Sequence, residues 1–163
     1  MARRVFFSFH YERDVWRANV VRKSWVTTER EEAGFWDASL WEEAKKKGED
    51  AIKRMIDDGL KGCSVTAVLI GAETSSRDWV KYEIRKSYES GKGLLGVFIH
   101  KIKDTSGKED QKGDALFGEI GKDRNGNSVC FSQVARQYDW VLDDGYLNLA
   151  DWVEKAAKEA NRS

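Results

Sequence analysis

Three segments rich in β-branched and aromatic residues occur in the first hundred residues of the chain. The middle one, Ser64 to Ile70 (SVTAVLI), is preceded by Arg4 to His10 (RVFFSFH) and followed by Leu94 to Ile99 (LLGVFI). A short apolar run bounded by turn residues is typical of a strand that is buried on both faces of a parallel sheet. We therefore predict three buried strands, with Ser64 to Ile70 central and beside the first strand.

Segments with helical spacing separate these strands. The first, from about Glu12 to Trp25, places valines and Trp16 on one face with basic residues between them. The second is predicted to start at Ser39, which has the capping pattern of serine followed three residues later by Glu42, and to run to about Gly59. The third follows the central strand and carries Trp79 and Glu83 one turn apart.

The remaining segments have weaker patterns. Thr27 to Ala33 is predicted to be a loop, and Gly34 to Asp37 (GFWD) is either a short edge strand or an ordered turn. Lys101 to Gly126 is polar, and its GKDRNGN stretch resembles a hairpin turn. Ser128 to Phe131 is a candidate last edge strand, and Leu147 to Ala160 is predicted to be a final amphipathic helix.

The alternation of strands and helices predicts a single α/β domain over residues 1–163. We expect a doubly wound, mainly parallel sheet with helices on both faces and a flavodoxin-like strand order. The core is expected in residues 3–100, followed by a C-terminal part in 101–163. A length of 163 residues is ordinary for one domain.

Composition excludes several classes of function. The 28 basic and 28 acidic residues balance, so nothing indicates binding to nucleic acid or to an anionic membrane surface. No apolar run approaches the roughly 20 residues that cross a bilayer, and the N-terminus has no signal-peptide pattern, so we expect a soluble cytoplasmic protein. Cys63 and Cys130 lack metal-ligand spacing, and only two histidines are present, so we expect free thiols and no metal site.

Common nucleotide and hydrolase motifs are also absent. There is no GxGxxG, no phosphate-binding GxxxxGKS/T, no nucleophile elbow and no CxxC. A flavin phosphate loop and the paired acids of a receiver domain are missing after the first strand. Ligands of open α/β sheets bind at the carboxyl ends of the strands, which directs attention to the segment from Glu73 to Glu83.

Glu83 shares a helix face with Trp79, because the two are four residues apart. A single glutamate so placed is either a solvated or paired side chain or a catalytic carboxylate for glycosidic chemistry, in which it would stabilise an oxocarbenium ion. Ser8 and His10 end the first strand at the same cleft, although His10 could also be a structural histidine. Asp37 could bind ligand or, like Ser39, cap the second helix.

The stretches RVFFSFH, DASLW, SVTAVLIG and SSRDWVKYEI together resemble the TIR-like family, in particular the small TIR proteins of the bacterial Thoeris antiphage system. The resemblance covers about residues 3–100. It implies that Glu83 is the catalytic NADase glutamate. It also implies NAD contacts from Phe9, His10, Ser75, Ser76 and Trp79. Ser8 and Asp37 are added to the expected NAD contacts because of their positions at the cleft.

The resemblance further implies an enzyme that uses NAD as a substrate and has no separate cofactor. It would cleave the nicotinamide glycosidic bond and join the ADP-ribose into a cyclic signalling nucleotide for a separate effector protein. Self-association through TIR surfaces on activation is also implied. Two alternatives stay open: a non-catalytic TIR-like adaptor, and an enzyme similar to nucleoside deoxyribosyltransferases.

Overall fold

A five-stranded parallel sheet forms the centre of the molecule. The computed structural model describes residues 3–26, 32–33, 38–114, 116 and 118–160. In chain order the described strands are β1 (Val5–Ser8), β2 (Glu32–Ala33), β3 (Val65–Ile70), β4 (Gly93–Phe98), β5 (Glu119–Lys122), β6 (Ser128–Cys130) and β7 (Arg136–Asp139). The main sheet has the order β2-β1-β3-β4-β7, all parallel, and β5 pairs with β6 in a separate antiparallel hairpin. Within the main sheet this is the predicted flavodoxin-like order.

Helices cover both faces of this sheet. They are α1 (Tyr11–Val26), α2 (Ala38–Lys47), α3 (Glu49–Leu60), α4 (Asp78–Glu89), the short α5 (Phe131–Val134) and α6 (Gly145–Ala160). Every residue of β3 is buried, and its side chains alternate between two apolar clusters. Val68 and Ile70 belong to the cluster that contains Val80 and Ile84 of α4, while Leu69 belongs to the cluster that contains residues of α1 and α6. The predicted doubly wound α/β fold is therefore confirmed.

The predicted single helix from Ser39 to Gly59 is wrong. The structure has two helices, Ala38–Lys47 and Glu49–Leu60, which are separated at Gly48. Gly48 has a φ of 107°, a left-handed conformation that glycine adopts readily and that interrupts a helix. The apolar spacing continues across the break, so the pattern alone did not reveal it.

The edges of the sheet also differ from the prediction. Thr27 to Ala33 was predicted to be a loop, but its last two residues form β2; the GFWD segment lies outside the described residues. Ser128 to Phe131 does not form the last edge strand, because its strand pairs only with β5. The last edge strand, next to β4, is instead Arg136–Asp139 (RQYD). Its sequence is too polar to give a strand pattern, and it pairs with β4 alone. The predicted hairpin is confirmed, and Asp123 closes its turn by accepting the backbone N–H groups of Asn125 and Asn127 at 2.9 Å each.

The segment 104–114 packs over the carboxyl end of the sheet. Arg13 of α1 donates two hydrogen bonds to the Asp110 carboxylate, at 2.6 and 3.0 Å. Gly113 lies directly against the carbonyl of Gly71, and Gly71 in turn lies against the buried carboxylate of Asp14. A methyl group at either glycine would overlap its neighbour. Close backbone approach therefore fixes this edge of the sheet, beside which the candidate site lies.

Two structural features do not occur within the described ranges. No helix there is long and apolar enough to cross a membrane. The same residues contain no group of three or more His, Cys, Asp or Glu side chains that could hold a metal ion. Cys63 and Cys130 are free thiols, as predicted.

Candidate active site

Glu83 lies on the buried face of α4. Residues Val80, Glu83, Ile84 and Ser87 are the buried positions of this helix, at the three- and four-residue spacing of a single face. This face packs on the sheet, so the helix carries the carboxyl group of Glu83 inward, and only 7% of the residue is exposed. A charged residue at a position where apolar residues are otherwise found is unusual and directs attention to its surroundings.

Hydrogen bonds fix the helix and its carboxyl group against β1 and β3. Ser8, the last residue of β1, is fully buried and donates its hydroxyl to Glu83 Oε1 at 3.1 Å. One turn further along α4, Ser87 Oγ donates to the Glu83 carbonyl at 2.7 Å and lies 2.7 Å from Thr66 Oγ1 of β3. The glutamate is thus held from its side chain and from its backbone.

The ionisation of Glu83 is strongly perturbed. Burial raises the pKa of its carboxyl group to about 8, and the hydrogen bond from Ser8 opposes that rise by stabilising the charged form. At neutral pH this shift favours the protonated, uncharged form of the carboxyl group. A buried acid with a displaced pKa in a pocket is a recognised sign of a functional group.

A small cavity adjoins this carboxyl group. Its volume is about 10 Å³, enough for roughly one water molecule. Aromatic side chains form most of its wall, and Phe9, Tyr11 and Trp41 stack in sequence with ring centroids 5.6 and 5.4 Å apart. The full lining is Phe7, Phe9, Tyr11, Trp41, Arg77, Trp79, Val80 and Glu83. Besides the aromatic rings and Val80, the lining contributes the carboxyl group of Glu83 and the guanidinium group of Arg77.

An open groove of about 530 Å³ adjoins the cavity. Trp41, Arg77 and Trp79 line both spaces and so form the wall between them. The groove has the size of ordinary small-molecule sites, which span roughly 300–1,000 Å³. A ligand in the groove would lie against this three-residue wall, with Glu83 on its other side.

Charged side chains on the groove are already paired with one another. Lys45 of α2 donates to Glu12 Oε1 at 2.7 Å, and Arg77 Nη2 lies 4.0 Å from the same oxygen. The hydrogen bond from Lys45 lowers the pKa of the Glu12 carboxyl group, so Glu12 is ionised at neutral pH. Glu12 therefore accepts a hydrogen bond from Lys45 and lies close enough to Arg77 for an ion pair.

The structure brings four of the predicted site residues together. Ser8, Phe9, Trp79 and Glu83 all lie at the cavity or in direct contact with its carboxyl group. His10 directly precedes α1, and its carbonyl accepts the backbone N–H groups of Arg13 and Asp14 in the first turn. Its Nδ1 is buried without a hydrogen-bond partner among the described residues, and burial, followed by the charge of Arg77, lowers its pKa.

The other predicted residues lie elsewhere. Ser76 lines the groove, and its hydroxyl donates to the Glu73 carbonyl at 2.9 Å. Ser75 lines a different depression, on the side of α4 where Arg85 lies, because the short 3-10 turn Thr74–Ser76 directs adjacent residues to opposite sides. Asp37 lies outside the described residues.

Several residues of this site were not singled out from the sequence. Tyr11, Trp41 and Arg77 line the cavity, and Glu12 and Lys45 line the groove. Tyr11 and Arg77 are adjacent to predicted site positions, which was the only signal for them. Lys45 belongs to a basic run that is ordinarily a solvated helix face, so its pairing with Glu12 could not be read from the pattern.

Comparisons with known proteins were made against protein-family models and curated sequences. The family model described as "Thoeris protein ThsB, TIR-like domain" matches residues 6–104. A protein of Bacillus cereus (strain MSX-D12), named as a candidate cyclic ADP-D-ribose synthase, ThsB1, is 40% identical over an alignment of 191 positions. That alignment covers 94% of this chain and 100% of the relative. The family match includes every residue of the Glu83 cavity and of the adjoining groove.

Proposed function

This chain belongs to the TIR-like family of Thoeris ThsB proteins, and on that basis we propose that it is an enzyme that cleaves NAD and cyclises the ADP-ribose. The cyclic product would act as a signalling nucleotide in antiphage defence. The name of the Bacillus cereus relative supports this activity, and the resemblance expected from the sequence agrees with the family match. The observation that carries the proposal is the buried Glu83 carboxyl group beside a nucleotide-sized groove.

Glu83 is proposed to act on the ribose that bears nicotinamide. The nicotinamide of NAD is a cationic leaving group, so the C–N glycosidic bond breaks without a strong general acid, and its electron pair leaves with neutral nicotinamide. The ribose then develops oxocarbenium character, which a nearby carboxylate stabilises. Low polarity around Glu83 strengthens that attraction, because water does not screen it.

Substrate binding is expected to generate the carboxylate that the reaction needs. Without substrate the protonated form of Glu83 is favoured, because burial raises its pKa to about 8. The positive charge of bound nicotinamide lowers that pKa, since an opposite charge nearby favours the ionised form. The pKa seen in kcat/KM, which reports the free enzyme, should therefore lie above the one seen in kcat.

Cyclisation requires an internal nucleophile to reach the anomeric carbon before water does. An atom of the adenosine half would form the new bond, and any proton that it releases would pass to Glu83. The small, mostly aromatic cavity supports this outcome, because it leaves little space for solvent beside Glu83. Exclusion of water and an ordered adenosine half both favour the internal attack over hydrolysis.

The partners follow from the same proposal. NAD is the substrate, the cyclic nucleotide reaches a separate effector protein, and the chain associates with itself through TIR surfaces on activation. We place the activity in the cytoplasm, where NAD and phage nucleic acid are both present. No cofactor beyond the substrate takes part.

Nicotinamide release from NAD tests the proposal directly. The wild-type chain, assayed over a range of protein concentrations, should release nicotinamide, and Glu83→Gln should reduce kcat by at least about 100-fold because it removes the charge. Glu89→Gln makes the same change on the exposed part of α4 and should keep wild-type activity. Absence of turnover at every protein concentration would favour the adaptor alternative and reject the enzymatic proposal.

A further inference from the structure

The groove beside the Glu83 cavity combines groups suited to different parts of a nucleotide. Trp41 and Trp79 present aromatic surface, Lys45 and Arg77 are cations, and Ser76 adds a hydroxyl group. Three acids, Glu12, Glu49 and Asp78, share the groove, so it has no general positive potential. An anion would therefore be bound here by direct contact with Lys45 or Arg77, and not by a positive electrostatic potential of the whole groove.

Arg77 occupies the position that a diphosphate requires. In NAD only one ribose separates the scissile glycosidic bond from the diphosphate. With that ribose at Glu83, the diphosphate lies at the border between the cavity and the groove. Arg77 lines both spaces, is 28% exposed, and precedes the first residue of α4, whose free N–H groups also favour an anion.

Lys45 lines the groove from a different helix. It belongs to α2 and is held at 2.7 Å by the Glu12 carboxylate, which also lies 4.0 Å from Arg77. The Glu12 carboxylate lies between two cations, and a phosphate oxygen bound there would be surrounded by the same two charges. The Glu12 carboxylate and a bound diphosphate would thus place negative charge at the same two cations.

We propose that Arg77 and Lys45 bind the diphosphate of the NAD substrate and that Glu12 competes with it for these two cations. This assignment rests on the proposed function, since it places the scissile ribose at Glu83. It makes two predictions of opposite sign. Removal of either cation weakens binding of a diphosphate ligand, whereas removal of the Glu12 charge strengthens it.

Calorimetric titration with ADP-ribose tests both predictions. Arg77→Gln should weaken binding about tenfold, and Lys45→Gln about threefold, because the lysine is more exposed and its charge better screened. Glu12→Gln should strengthen binding about threefold. Lys46→Gln is the matched control, because it removes an exposed lysine charge from the same helix outside the groove and should leave the affinity unchanged. Thermal melting of each variant checks that the fold is retained.

Several results would overturn the assignment. Unchanged affinity in Arg77→Gln or weaker binding in Glu12→Gln would contradict it. So would a loss of affinity in Lys46→Gln equal to that in Lys45→Gln, or no ADP-ribose binding by the wild type at millimolar concentration. These outcomes are separate from a failure of the proposed function. That failure would appear as absent nicotinamide release, whereas a wrong assignment of the diphosphate site would leave release dependent on Glu83.

Discussion

Replacing Glu83 by glutamine should make the stability of the protein less dependent on pH between about pH 5 and pH 8, while it removes most of the turnover. The side chain is buried, and its pKa rises from the ordinary 4.5 to about 8. Below pH 4.5 the carboxyl group is protonated in both the folded and the unfolded chain and does not affect the balance. Between about pH 4.5 and 8 the unfolded chain ionises first, so the free energy of unfolding of the wild type falls as the pH rises.

The magnitude follows from the same pKa. Each pKa unit corresponds to about 1.4 kcal/mol, so the rise to about 8 gives an upper limit of about 5 kcal/mol at high pH. Between pH 5 and pH 8 the corresponding change is at most about 4 kcal/mol, and relaxation around the ionised group reduces it. We expect the wild type to lose at least about 1 kcal/mol more than Glu83→Gln over this interval.

Urea denaturation at pH 5 and pH 8 measures this difference. Glutamine keeps an oxygen that accepts the Ser8 hydroxyl, but its buried amide N–H groups carry a fixed cost that does not depend on pH. The pH-dependent part therefore isolates the carboxyl group. Glu89→Gln should follow the wild type at both pH values. A stability difference between Glu83→Gln and the wild type that stays constant from pH 5 to pH 8 would refute the reasoning.

Three further variants test other parts of the structure. Ser8→Ala removes the hydrogen bond that lowers the pKa of the Glu83 carboxyl group. If Glu83 is catalytic as proposed, the acidic limb of the kcat/KM profile should move up by about one pH unit, and an unmoved limb would contradict this. Gly71→Ala should destabilise the fold by about 2 kcal/mol or more in urea, because its methyl group would overlap a buried carboxylate. Gly91→Ala, at a positive φ with open space around it, should cost only about 1 kcal/mol, and equal losses at the two glycines would reject the steric argument. Arg13→Ala should speed hydrogen exchange in residues 104–114, since it removes two of the hydrogen bonds to this segment. Unchanged exchange there would show that the remaining contacts, such as the hydrogen bond from Arg17 to the Lys108 carbonyl at 3.2 Å, suffice.

The central part of the fold could be predicted because burial on both faces leaves a clear pattern. Ser64 to Ile70 is apolar enough to identify as a central strand, and the structure places Val65–Ile70 between β1 and β4. Arg136–Asp139 could not be identified, because an edge strand with polar residues has no such pattern. The break at Gly48 was hidden for a related reason, since the apolar positions continue on both sides of it.

The candidate site was predictable only in part. Glu83 and Trp79 were found because helical spacing and the TIR-like resemblance both led to them, and the resemblance is confirmed by the family match. The groove residues Glu12 and Lys45 come from different helices, so only the folded chain shows that they pair. Ser75 was predicted to contact the ligand but lies on another surface, because side chains one residue apart in the Thr74–Ser76 turn point in different directions.

The central claim is that Glu83 enables this chain to convert NAD into nicotinamide and a cyclic nucleotide. Mass spectrometry of the products formed from NAD tests it most directly, with wild type, Glu83→Gln and Glu89→Gln compared at equal concentration. We predict nicotinamide together with a product that has the mass of ADP-ribose less one water, formed by the wild type and by Glu89→Gln and lost in Glu83→Gln. The same product at the wild-type level from Glu83→Gln, or no product from the wild type, would contradict the claim.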